Sequence, residues 1–170
     1  MRSPLRRRVL RATSFAAFLL AVNVTLAAAI GDAAPAFALP AAPGGTIALE
    51  QLRGHVVYID FWASWCAPCR RSFPWMNEMQ QRYAGRGLVV VAINVDTKRE
   101  DAERFLRQFP AEFMVAYDGT GATPAAYGVK AMPSSYLVDT RGRIAGIELG
   151  FSEASRATLE ARIRALLETR

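Results

Sequence analysis

The chain has 170 residues and a formal net charge of +6, a length that supports one domain with a proper core and excludes two comfortable ones. Five arginines (Arg2, Arg6, Arg7, Arg8 and Arg11) and no acid fall within residues 1–31, so the remainder carries 16 basic and 15 acidic residues. The basic balance belongs to that first segment, and a nucleic-acid role has no electrostatic footprint in the rest.

In chain order, the first element reads as a secretory signal spanning residues 1–31. A basic stretch from Arg2 to Arg11 precedes an apolar run from Ala12 to Ile30, and Ala27-Ala28-Ala29 suits a small-residue cleavage site near 29–31. The order Arg6-Arg7-Arg8-Val9-Leu10-Arg11 also has the form of a twin-arginine export signal. The alternative is a retained membrane anchor, since 19 residues can span a bilayer. Thr13, Ser14, Asn23 and Thr25 weaken that run, and cleavage is the expected outcome. Export matters because it places the cysteines where disulfides persist.

The folded part is expected over 32–170. Phe37-Ala38-Leu39 and Ile47-Ala48-Leu49 flank Pro43-Gly44-Gly45 as a β-hairpin. Val56 to Phe61 is an apolar, β-branched run suited to a strand buried on both faces. A helix follows through about Tyr83, with Pro74 expected to kink it and Gly85 and Gly87 to close it. Leu88 to Val95 is a second buried strand. Thr97-Lys98-Arg99-Glu100 has the form of a capping box opening a helix to about Phe109, where Pro110 stops it. Phe113 to Tyr117 is a third strand and Ala122 to Tyr127 a short helix. Ser135–Val138 and Ile144–Leu149 pair around Thr140-Arg141-Gly142, and Ser152 caps a terminal helix with Leu159, Ile163, Leu166 and Leu167 on one face. Strands alternating with helices give an α/β fold with a parallel core sheet, to which the last two strands add an antiparallel edge.

The two cysteines, Cys66 and Cys69, sit three apart where a strand meets a helix. At a helix N-terminus, unpaired N–H groups and the dipole favour an anion, lowering a thiol pKa from about 8.5 toward neutrality. Cys66 is the candidate nucleophile, and Cys69, one turn in, can attack the resulting mixed disulfide. A staple closing so short a loop adds only about 2 kcal/mol. Structural zinc needs about four Cys or His ligands, against two cysteines and one histidine here. Haem attachment needs His after the second cysteine, where Arg70 stands. Redox exchange is left, with no metal and no cofactor beyond the Cys66–Cys69 pair itself. Asp60, an acid in a very apolar strand, is a candidate proton acceptor for Cys69 whose pKa burial would raise; the alternative is a hydrated position at the sheet edge. His55 reads as a surface residue, Trp62 and Trp75 as rim or core, and Trp65 as a partly exposed partner contact.

Asp60-Phe61-Trp62-Ala63-Ser64-Trp65-Cys66-Ala67-Pro68-Cys69 resembles the active-site segment of thioredoxins, and Gly54 to Pro74 is similar to that of the periplasmic TlpA/ResA-like reductases. The resemblance runs from about Ala33 to the C-terminus. It implies a thioredoxin-like fold, a central mixed sheet flanked by helices, with an N-terminal hairpin and an extra helix and strand at 99–117. It further implies that Pro133 is a cis-proline facing the cysteines, leaving the Met132 backbone to bind an extended substrate, with Trp65, Ala67 and Pro68 also on the substrate side. One departure is that Ser72 stands where many TlpA/ResA-like reductases carry Glu. By this resemblance the chain is a monomeric periplasmic reductase of exported proteins, such as apocytochrome c or copper-site cysteines, fed by a membrane thiol donor. The competing readings are a disulfide-forming oxidant, a copper-binding assembly factor and a thiol peroxidase.

Overall fold

A run of seven residues that is apolar or aromatic at every position but Asp60 needs cover on both faces, and Val56–Trp62 (β3) receives it, every residue being buried. In the computed structural model, which describes residues 28–169, β3 lies in a seven-stranded sheet. Leu88–Asn94 (β4) pairs parallel to β3 on one side, and Ser134–Val138 (β6) antiparallel on the other. Met114–Tyr117 (β5) runs parallel to β4, and Ile144–Leu149 (β7) antiparallel to β6. The N-terminal hairpin, Ala38–Ala42 (β1) and Thr46–Ala48 (β2), joins the same sheet through β1 against β5, giving the order β2-β1-β5-β4-β3-β6-β7.

The pleat of β3 divides two cores. Val57, Ile59 and Phe61 point into a layer with Val91, Ile93, Tyr136 and the hairpin's Phe37 and Ile47. This layer is closed by Tyr127 of the short helix Ala122–Tyr127 (α3). Val56, Tyr58 and Trp62 point the other way, onto Cys69–Tyr83 (α1), Arg99–Gln108 (α2) and Glu153–Glu168 (α4). Phe73, Met76 and Met79 of α1 and Leu159, Ile163 and Leu167 of α4 are buried there. Burying each such side chain contributes about 1.5–3 kcal/mol. Trp62 sits between Phe73 and Phe105 at centroid distances of 4.9 and 4.8 Å, and Trp75 is also buried. Both tryptophans are therefore core.

Helix α1 runs on through Pro74, whose ring nitrogen has no hydrogen to donate to the Arg70 carbonyl. Past Tyr83 a 3-10 turn ends at Gly87 with φ +95°, a left-handed conformation that glycine takes without penalty. Ser152 caps α4, but no capping box forms at 97–100. Helix α2 begins at Arg99 with Lys98 at its N-cap and no side-chain cap bond. Residues 97–100 are exposed, so water can compete for the first-turn N–H groups, and the Asp101 N–H turns to the Lys98 carbonyl at 3.1 Å.

The leader read at 1–31 lies largely outside the described residues, which begin at 28. Among the described residues no helix is long and apolar enough to cross a membrane. Residues 31–34 strap onto the β6–β7 hairpin: the Gly31 N–H donates to the Ile144 carbonyl at 2.8 Å, and the Ala34 N–H to that of Gly142 at 2.9 Å.

Candidate active site

The loop Ala63–Pro68 carries the chain from the end of β3 to the start of α1. Trp62 anchors it in the core, and the Val95 N–H donates to the Trp62 carbonyl at 3.0 Å. Cys66 and Cys69 are joined by a disulfide. The Cys66 N–H donates to the Ala63 carbonyl at 3.1 Å, and the Cys69 N–H donates to Cys66 Sγ at 3.2 Å. That last bond comes from the first residue of α1, the place where backbone donors and the helix dipole favour a thiolate once the disulfide is reduced. Cys66 keeps 3% of its surface and Cys69 none, so Cys66 is the more accessible of the two. Trp65, next to it, is 69% exposed.

Asp60 lies inside the sheet, not at its edge. It shares the face of β3 that bears Tyr58 and Trp62, the face on which Cys66 and Cys69 are packed. It is buried, and one of its carboxyl oxygens has no hydrogen-bond partner. Burial pushes its carboxyl well above the usual carboxylate range, because the charged form loses water. Burial, and after it the charge of Asp60, also raise the Tyr58 phenol.

The Met132–Pro133 peptide bond is cis. The register Phe61↔Ser134 sets Pro133 beside Trp62, at the end of β3 that leads to the cysteine loop. Met132 is partly buried, and its peptide groups lie outside the sheet ladder, which begins at Ser134. Ser72 is buried and its hydroxyl donates to the Cys69 carbonyl at 3.1 Å, so no acid replaces the expected Glu at this point of α1. His55 is exposed. Among the described residues no group of three or more His, Cys, Asp or Glu comes together to hold a metal ion.

Sequence reasoning missed Asp96. Its carboxylate accepts from the Ser64 N–H at 2.9 Å and the Ser64 hydroxyl at 3.0 Å, fixing the loop two residues before Cys66. Asn94 holds Asp96 in turn, donating through Nδ2 at 2.8 Å and accepting from the Asp96 N–H at 3.1 Å. The available signal was Asn94-Val95-Asp96, two polar residues closing an apolar strand.

The Redoxin family model matches residues 29–163. The chain belongs to the Redoxin family. Among curated relatives, the thiol-disulfide oxidoreductase ResA of Geobacillus thermodenitrificans is 35% identical over 124 residues, covering 73% of this chain and 71% of that one. The ResA of Bacillus thuringiensis subsp. konkukian is 34% identical over 115 residues, covering 68% and 66%. A crystal structure from Chlorobium tepidum, provisionally named thiol:disulfide interchange protein DsbE, is 52% identical with a TM-score of 0.81, covering 83% of this chain and 99% of that one. This Redoxin family member has the thioredoxin-like fold and is a thiol–disulfide oxidoreductase with a Cys66–Cys69 disulfide.

Proposed function

We propose that the protein works outside the cytoplasm as a dithiol reductase of exported proteins. The observation that carries this reading is a disulfide at the start of α1, more accessible at Cys66 than at Cys69, with Pro133 beside the loop and a buried carboxyl behind it. The Cys66 thiolate attacks a substrate disulfide while Met132 and Trp65 contact the bound segment. Cys69 gives its proton to Asp60 and attacks Cys66 Sγ, releasing the reduced substrate. Two electrons leave the cysteine pair in each cycle, and a membrane thiol donor returns them. The leader at 1–31 supports export, and cytochrome c or copper-site cysteines are the substrate class. The protein acts as a monomer.

Two measurements test this. A reduction potential of about −250 mV supports a reductase, and one near −120 mV, the range of strong oxidants, overturns it in favour of disulfide formation. Cys69→Ser is expected to accumulate mixed disulfides with partner proteins in cells. Their absence, or their persistence in a Cys66→Ser, Cys69→Ser double variant, removes the role given to Cys66.

A further inference from the structure

Asp60 is sealed from solvent at 1% exposure, yet a group that accepts a proton in every cycle must also return it. The register of the sheet shows what lies on either side. Toward β4 the neighbour is Ala92, whose side chain offers no polar atom. Toward β6 it is Ser135, and Ser135 in turn lies opposite Glu148 of β7. Antiparallel partners of this kind place their side chains on one face with Cβ atoms about 5 Å apart. Asp60, Ser135 and Glu148 therefore form a row across the sheet, from its centre to its edge.

The row is polar throughout. Ser135 is 3% exposed and faces the same small cavity as Tyr58. The Glu148 side chain is 27% exposed and pairs with Arg162 of α4 at 3.5 Å. Gly146, with no side chain, leaves the strand surface open where the Arg162 stem lies: a Cβ there would stand 4.0 Å from Arg162 Cδ. Tyr58, Ser135, Glu148 and Arg162 meet around a small cavity of about 10 Å³ that Leu137, Ile147 and Leu159 also line.

We propose that Ser135, with Tyr58 beside it, and Glu148 form the route by which protons pass between Asp60 and solvent. The inference rests on Asp60 as the proton acceptor for Cys69. In the oxidising half of the cycle Cys66 has attacked the substrate, and one substrate thiolate has left. Cys69 Sγ–H gives its proton to the Asp60 carboxylate, and its sulfur forms a bond to Cys66 Sγ as the second substrate thiolate departs. Asp60 then hands its proton to the Ser135 hydroxyl, which passes its own onward to Glu148, and Glu148 releases it to water, where the departing thiolates take up protons. No electrons move along the row.

The test uses the full-length protein in steady-state turnover between a dithiol reductant and oxidised glutathione, both at concentrations where the rate no longer rises, so that Asp60 must return its proton in every cycle. Ser135→Ala and Glu148→Gln are expected to slow this step on the order of three- to tenfold, a fraction of the 10²–10⁴ that positioned acid–base groups supply. The solvent deuterium isotope effect should rise, the equilibrium with glutathione should stay put, and Ser135→Thr should keep the wild-type rate. A shifted equilibrium, or Thr as slow as Ala, marks a structural effect and overturns the route. Wild-type rates and isotope effects in both Ser135→Ala and Glu148→Gln, with Asp60→Asn still slow, also overturn it while sparing Asp60. If Asp60→Asn is itself unaffected, the acceptor reading fails first.

Discussion

Asp60 couples the site to stability. Its folded pKa is raised by burial, so over the window from the ordinary carboxylate range up to that raised value the native state holds a proton that the unfolded chain has lost. Stability then falls as pH rises: the contribution is complete below the unfolded pKa and is lost as pH passes through the folded one. Asp60→Asn keeps the shape and cannot ionise. Guanidinium unfolding of the disulfide form, in which neither thiol titrates, should show the variant near wild type at about pH 4 and increasingly more stable above it. A difference that does not change with pH would mean that Asp60 is hydrated or paired in solution. The reason for an acid at 60 was visible in the sequence, because one charge in a fully apolar strand of this length has few hydrated positions to occupy. Asp96 was not visible. Its importance comes from Ser64, 32 residues away, and nothing local in Asn94-Val95-Asp96 names that partner.

Helix starts separate what a local pattern settles from what it does not. Thr97-Lys98-Arg99-Glu100 and Ser152-Glu153-Ala154-Ser155 both offer hydroxyls ahead of a helix, yet only the second forms a cap. The Ser152 side chain accepts from the Ser155 N–H at 3.1 Å, and the Ser155 hydroxyl accepts from the Ser152 N–H at 3.1 Å. Ser152→Ala should therefore cost about 1 kcal/mol, a drop of a few degrees in Tm, because α4 must be in register to bury Leu159, Ile163 and Leu167. Thr97→Ala should leave Tm unchanged. Equal losses in the two would mean that Thr97 caps α2 in solution. Strands and their order were more legible than caps: a run such as Val56–Trp62 admits few placements, whereas a cap depends on one rotamer competing with water. The sequence did not reveal that β1 of the N-terminal hairpin completes the main sheet against β5, because pairing between strands more than 70 residues apart leaves no local trace.

At the scale of the whole molecule, the folded body begins before its first strand. Gly31 uses both of its peptide groups on the far hairpin: its N–H donates to the Ile144 carbonyl, and its carbonyl accepts from Arg143 Nη1 at 2.8 Å. The Asp32 carbonyl accepts from the Ile144 N–H at 2.9 Å, and Ala33 bridges Arg143. A cut after Ala29 leaves this strap whole. A cut after Gly31 removes two of its bonds and puts a charged amine on Asp32, beside the hairpin that ends at β7. With each lost bond worth about 0.5–1.5 kcal/mol, a chain starting at Asp32 should unfold a few degrees below one starting at Ile30. A chain cleaved within 29–31 is expected to begin at Ile30, and its intact mass decides the point. A mature chain starting at Asp32 with undiminished Tm would show that the strap does not hold the β6–β7 hairpin. The hairpin carries Glu148 and follows directly on Pro133, so a loosened strap should also be felt at the site. Thiol exchange by the shorter chain should be slower, with the loss recovered when Ile30 and Gly31 are restored.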